Sequence, residues 1–110
     1  MKYVFDLDGT LCTNTFGDYE KAKPIEDRIR MLNILYSDGN KIVIHTARGM
    51  NTCNGDIYSV YEKYYSLTVQ QLASWGIKYH QLILGKPAGD FYIDDKGVND
   101  EDYFGTNIRP

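Results

Sequence analysis

Apolar residues fall along this chain in short blocks, each broken off by polar ones. The run KYVF at 2–5 is β-branched and aromatic and stops abruptly at Asp6, which predicts a buried strand feeding a loop. Turn formers without a period fill 12–23. Pro24 stands where a helix can begin, and Ile25, Ile29, Leu32, Leu35 and Tyr36 recur at helical spacing on one face, with Gly39 at the place of a helix C-cap. KIVIH at 41–45 predicts a second strand, ended by Thr46, and 47–56 is again loop. Ile57, Val60, Tyr61, Tyr64, Leu67, Leu72 and Trp75 suit a second helix, interrupted near Thr68 and closed by Gly76. QLIL at 81–84 and FYI at 91–93 predict a third and a fourth strand, followed by GKP and DDKG.

Strand, helix, strand, helix, strand is the order of parallel α/β winding, in which ligands bind beyond the carboxyl ends of the strands. The expected fold class is therefore α/β, with a minimal, mostly parallel sheet of about four strands flanked by helices. That topology gathers the polar residues ending each run at one edge: Asp6 and Asp8, Thr46, Lys86, and Asp94 with Asp95. The short connection 85–90 strains this picture, because parallel crossovers usually take a dozen residues or more. Either the third strand is an edge crossed by an extended segment without a helix, or one strand is misassigned.

Size and charge narrow the possibilities. With 110 residues, 43% of them hydrophobic, residues 1–110 are expected to form a single domain with one core. Fifteen acids against 12 bases leave a net charge of −3 and no basic stripe, which disfavours nucleic acid or an anionic membrane as partner. No long apolar run or basic leader is present, so a cytoplasmic, membrane-free placement is expected. Cys12 and Cys53 form no CxxC or Cys/His cluster, consistent with free thiols in a reducing compartment. The four tyrosines at 58, 61, 64 and 65 are expected as half-buried core or a subunit contact.

Clustered carboxylates repel one another and call for shared protons or a cation. With oxygen ligands and no His or Cys beside them, the natural cation is Mg²⁺. A metal, an ammonium and a hydroxyl around one point describe a holder for a phosphoryl group, and a carboxylate placed in line can attack phosphorus. Gly9 is expected to let backbone N–H groups approach the phosphoryl oxygens.

DLDGT at 6–10, Thr46 in VIHTAR, Lys86 in GKP and the acidic pair of YIDD resemble, in order, the four motifs of the haloacid dehalogenase (HAD) superfamily. HTARGM, GKP and FYIDDKG on so short a chain look closest to the small phosphatases associated with capsular polysaccharide biosynthesis. The resemblance implies an HAD-like Rossmannoid fold and a Mg²⁺-dependent phosphomonoester hydrolase acting on a small phosphorylated substrate such as a sugar phosphate. Asp6 would be the nucleophile that becomes a phosphoaspartate, and Asp8 the acid and base. Thr46 would hydrogen-bond a phosphoryl oxygen and Lys86 would steady the charge. Asp6, the Asp8 carbonyl and Asp95 would hold Mg²⁺, with Asp94 in support. An acid at position 8 favours phosphate esters, because an alkoxide leaving group needs a proton.

The intervals from Asp8 to Thr46 and from Thr46 to Lys86 are each consumed by a loop, a helix and a strand, so no cap domain is expected. Loops 12–23 and 47–56, or a neighbouring subunit of a homo-oligomer, would have to cover the open site. Arg48 is expected to fork onto the substrate's phosphate or a second anionic group, against the alternative of a surface or loop-bracing arginine. Asn51 and Asn54 could meet sugar hydroxyls or simply shape turns. His45 is expected to pack internally and His80 to lie at the surface. Two other functions compete: a phosphatase of nucleotides or nucleic-acid ends, and a catalytically silent phosphate- or Mg²⁺-binding module.

Overall fold

A computed structural model describes residues 1–105. Strand β1 (Lys2–Phe5) is followed by a 3-10 turn at Tyr19–Lys21 and helix α1 (Glu26–Ser37). Strand β2 (Lys41–Thr46), helix α2 (Ile57–Ser74), strand β3 (Gln81–Leu84) and a short helix α3 (Asp100–Phe104) complete the order. The three strands form one parallel sheet in the order β1-β2-β3. Register pairs Phe5 with Ile44 and Ile44 with Leu82, so the three strands end nearly level.

The apolar pattern explains which faces are buried. Ile42 and Ile44 of β2, Ile29 and Leu32 of α1, and Leu72 of α2 join Phe5, Leu7, Leu11, Ile77 and Phe104 in one core. Burying a side chain of that size stabilises the fold by about 1.5–3 kcal/mol, so this cluster dominates the energetics. Helix α1 ends as the glycine signal predicts: Asn40 N–H donates to the Leu35 carbonyl while Gly39 takes φ +93°. Helix α2 starts at Asp56, whose side chain accepts from the Tyr58 N–H at 3.2 Å. It runs through Thr68 without the expected interruption. The Thr68 hydroxyl donates back to the Tyr64 carbonyl at 2.8 Å, so a β-branched residue is absorbed without a break. The tyrosines divide: Tyr64 packs edge-on against Tyr19, Tyr61 bonds the backbone of Leu84, and Tyr58 stays in solvent.

The fourth strand does not form. Residues 91–93 make no ladder, and Phe91 and Ile93 are 86% and 94% exposed. The connection after β3 doubles back on itself: the Tyr92 hydroxyl donates to the Pro87 carbonyl at 2.7 Å and accepts from the Gly89 N–H at 3.0 Å. A segment too short for a covering helix closes into a local loop, which spends the β-prone residues in a turn. The sheet therefore has three strands among the described residues rather than about four.

Candidate functional site

Leu7 explains why two acids can stand one residue apart at the end of β1. Leu7 and Leu11 are wholly buried, and they anchor the turn while Asp6 and Asp8 stay partly accessible on either side. The Leu7 carbonyl accepts from the N–H groups of Thr10, Leu11 and Cys12 at 2.8–3.2 Å. Gly9 adopts φ +86°, a conformation that costs an L-residue about 1–2 kcal/mol. Its own N–H donates to the Cys12 carbonyl at 2.8 Å, so this donor is engaged within the turn. Glycine stands here for the turn.

Parallel register then brings the other strand ends to the same rim. The Lys86 N–H donates to the Thr46 carbonyl at 3.1 Å, extending the β2–β3 ladder past β3. The Lys86 ammonium lies 3.4 Å from Asp6 Oδ1, and Thr10 Oγ1 donates to Asp6 Oδ2 at 3.2 Å. A partly exposed pair of this kind contributes at most about 1 kcal/mol to stability, so its placement says more about chemistry than about folding. Thr46 is buried, and its Oγ1 accepts from the Arg48 N–H at 3.2 Å, leaving the hydroxyl its own proton to donate. Tyr92 adds a contact that the sequence did not suggest: its ring lies 4.2 Å from the Lys86 ammonium.

Arg48 turns out differently from the expectation. Its side chain is 1% exposed and lies against Asp8, donating through Nε to Oδ2 at 2.9 Å and through Nη2 to Oδ1 at 3.0 Å. The fork that would have met the substrate's phosphate meets a carboxylate of the chain instead. Cys12 Sγ also lies 3.4 Å from Asp8 Oδ1. Burial first, and the neighbouring Asp8 charge second, push the Cys12 thiol up to about 12, so it stays protonated. His45 is held below its ordinary value, chiefly by burial and then by the Lys86 charge, with Asp6 acting the other way.

A second buried arginine braces the same turn. Arg28 Nη1 donates to the Thr10 carbonyl at 3.1 Å and pairs with Asp100 at the start of α3, with its guanidinium over the Phe104 ring. No chemical signal in the sequence marks Arg28, whose position on the apolar face of α1 becomes meaningful only in three dimensions. His80 is exposed as expected, yet its Nδ1 accepts from the Ile42 N–H at 3.0 Å and its ring stacks on Tyr36.

The acidic pair makes local contacts. Asp94 Oδ1 accepts from the N–H groups of Lys96 and Gly97, both at 2.6 Å, so it shapes a local turn, and Asp95 is exposed. Helix α3 is capped by Asn99 rather than by either acid. Among the described residues, no three His, Cys, Asp or Glu side chains come together in a group that could hold a metal ion. Among the described residues, no hydrogen bond or ion pair links Asp94 or Asp95 to Asp6 or Asp8, the other members of the expected ligand set. Cys12 and Cys53 are both free thiols. No helix among the described residues is long and apolar enough to cross a membrane.

A solved structure carries the same architecture over nearly the whole length. A crystal structure of an MCSG target from Vibrio cholerae superposes with a TM-score of 0.88 at 32% identity, covering 96% of this chain and 89% of that one. This chain belongs to the same family as that protein. The kinship speaks for the shared fold. No family model and no curated protein matches the chain.

Proposed function

We propose that this chain is a phosphomonoester hydrolase of the haloacid dehalogenase type, working through a phosphoaspartate on Asp6. The observation that carries this reading is the Asp6–Lys86 pair at the common ends of parallel strands, tied through the Lys86 backbone to Thr46. A carboxylate with an ammonium at 3.4 Å is a nucleophile beside a charge that can neutralise phosphoryl oxygens. In the first step an Asp6 oxygen bonds to phosphorus while the phosphorus–ester bond breaks, its electron pair going to the leaving oxygen with a proton from Asp8. Water then attacks phosphorus, losing a proton to Asp8, and the bond to Asp6 breaks to release inorganic phosphate and restore both acids.

Mg²⁺ belongs to this proposal as an expectation of the resemblance, and it would supply charge neutralisation at the phosphoryl oxygens. Asp6, the Asp8 carbonyl and Asp95 would hold it, with Asp94, whose Oδ1 accepts from the Lys96 and Gly97 N–H groups, in support. The absence of a cap-sized insertion among the described elements leaves the site open, which suits a small phosphorylated metabolite such as a sugar phosphate in the cytoplasm.

The test is turnover of an aryl phosphate, with and without added Mg²⁺, by the wild-type protein and by Asp6→Asn. Release of phosphate that disappears in Asp6→Asn is the expected result. Phosphate binding without turnover would favour a silent binding module instead. Asp8→Asn should cost about 100-fold or more on an alkyl phosphate and far less on an aryl phosphate with a good leaving group, since only the former needs the proton. Equal losses would remove Asp8 from that role.

A further inference from the structure

We infer that Arg48 is a positioning residue for Asp8, itself held by a shell on α2 and the Tyr19 turn, so that the position and plane of this one carboxylate are fixed. The inference rests on the phosphatase reading above and concerns how its second acid is controlled.

The geometry singles out this arginine. Its Nε and Nη2 grip both oxygens of Asp8 at 2.9 and 3.0 Å, a side-on fork that fixes the plane of the carboxylate as well as its position. The remaining guanidinium nitrogen is committed elsewhere: Nη1 donates to Gln71 Oε1 at 2.5 Å and to Thr68 Oγ1 at 3.2 Å. Each of these acceptors is itself fixed. Thr68 donates to the Tyr64 carbonyl, and Gln71 Nε2 donates to the Tyr19 carbonyl at 2.7 Å. The Tyr19 ring lies 4.8 Å from the guanidinium carbon, and the Tyr19 hydroxyl accepts from the Gly49 N–H at 2.9 Å.

A wholly buried guanidinium with this many fixed partners cannot leave to bind substrate. It also does more than stability requires. A buried ion pair is frequently neutral against an apolar replacement of equal volume, so stability alone is a weak reason for building one beside a reacting group. Arg28 shows the contrast, because it braces the same turn through a backbone carbonyl and a remote acid and touches neither Asp6 nor Asp8 in the contacts it makes here. Of the two buried arginines, Arg48 is the one that meets a carboxylate with chemistry to perform. Lysine in its place would keep the charge but lose the fork, since an ammonium is a point charge without a plane.

The experiment compares an alkyl phosphate with an aryl phosphate bearing a good leaving group, using wild type, Arg48→Lys, Asp8→Asn and the double variant, each checked for folding by circular dichroism. Arg48→Lys should lose about 30- to 100-fold on the alkyl ester and less than about fivefold on the aryl ester, the pattern of a misdirected proton donor. In the Asp8→Asn background the same substitution should change the ratio between the two esters by less than about twofold, because the two residues act as one unit. Equal loss on both esters, or a full additional loss in the double variant, overturns the inference. If Arg48→Lys does not fold, Gln71→Met takes its place, removing one acceptor at similar volume; a shift in the same ratio of about threefold is expected, and an unchanged ratio overturns the inference. A wild-type protein that hydrolyses neither ester overturns the phosphatase reading and this inference with it, whereas turnover without the split overturns this inference alone.

Discussion

The turn after β1 and the segment after β3 both leave the sheet at a carboxyl end, both contain a glycine with positive φ, and both carry acids, yet they are held in opposite ways. The first is anchored from below by Leu7 and Leu11 and from the sides by Arg28 and Arg48. The second rests on its own Tyr92 and on the turn made by Asp94, with Phe91 and Ile93 in solvent. The difference separates positioning from adaptability. Asp6 and Asp8 sit on the part of the rim that buried residues hold still, whereas Lys86 sits at the root of a segment that few buried contacts constrain.

Leu7→Ala against Ile93→Ala is the widest expected contrast. Truncating the buried leucine should cost about 2–5 kcal/mol in chemical denaturation, while truncating the exposed isoleucine should change stability by less than about 0.5 kcal/mol. A large cost at Ile93 would mean that residues 91–93 are buried in solution, and the comparison would break. Gly9→Ala and Gly85→Ala should each cost about 1–2 kcal/mol, because both backbones are left-handed and neither added methyl meets anything closer than 3.4 Å. Equal costs would show that the two regions differ in side-chain anchoring and not in turn geometry.

How much of this was legible in advance follows the same division. The three strands, the two long helices and the glycine stops were readable because apolar periodicity marks segments that a core selects, and the core selected them. The fourth strand failed for a reason the pattern cannot carry: FYI is as β-prone as QLIL, but pairing requires a partner edge within reach, and the chain after Leu84 folds back through Tyr92 before it gets there. The site divided likewise. Asp6 and Lys86 were found from strand ends and do meet. Arg48 was singled out correctly as unusual and given the wrong partner, since sequence shows a charge beside a strand end but not that Thr68 and Gln71 on α2 turn it inward. Thr10, Cys12 and Tyr92 gave no signal because each acts through a contact across the turn or the rim.

A smaller effect tests the electrostatics of the rim. His45 sits below its ordinary value of 6.5, mainly through burial, so the unfolded chain takes up a proton at a pH where the folded chain does not. Stability should therefore fall as the pH drops below about 6.5, with that part of the loss absent in His45→Gln. Denaturation midpoints measured from pH 7.5 to pH 5 would check it, and an identical pH slope in the variant would place the sensitivity elsewhere.

The claim on which the account turns is that Asp6 attacks phosphorus. Incubating the protein with a phosphate ester, quenching it in acid, reducing with borohydride and mapping peptides by mass spectrometry tests this directly. The account predicts conversion of Asp6, and of no other acid, to the reduced alcohol in a substrate-dependent manner. Turnover of the ester with Asp6 unmodified would contradict it.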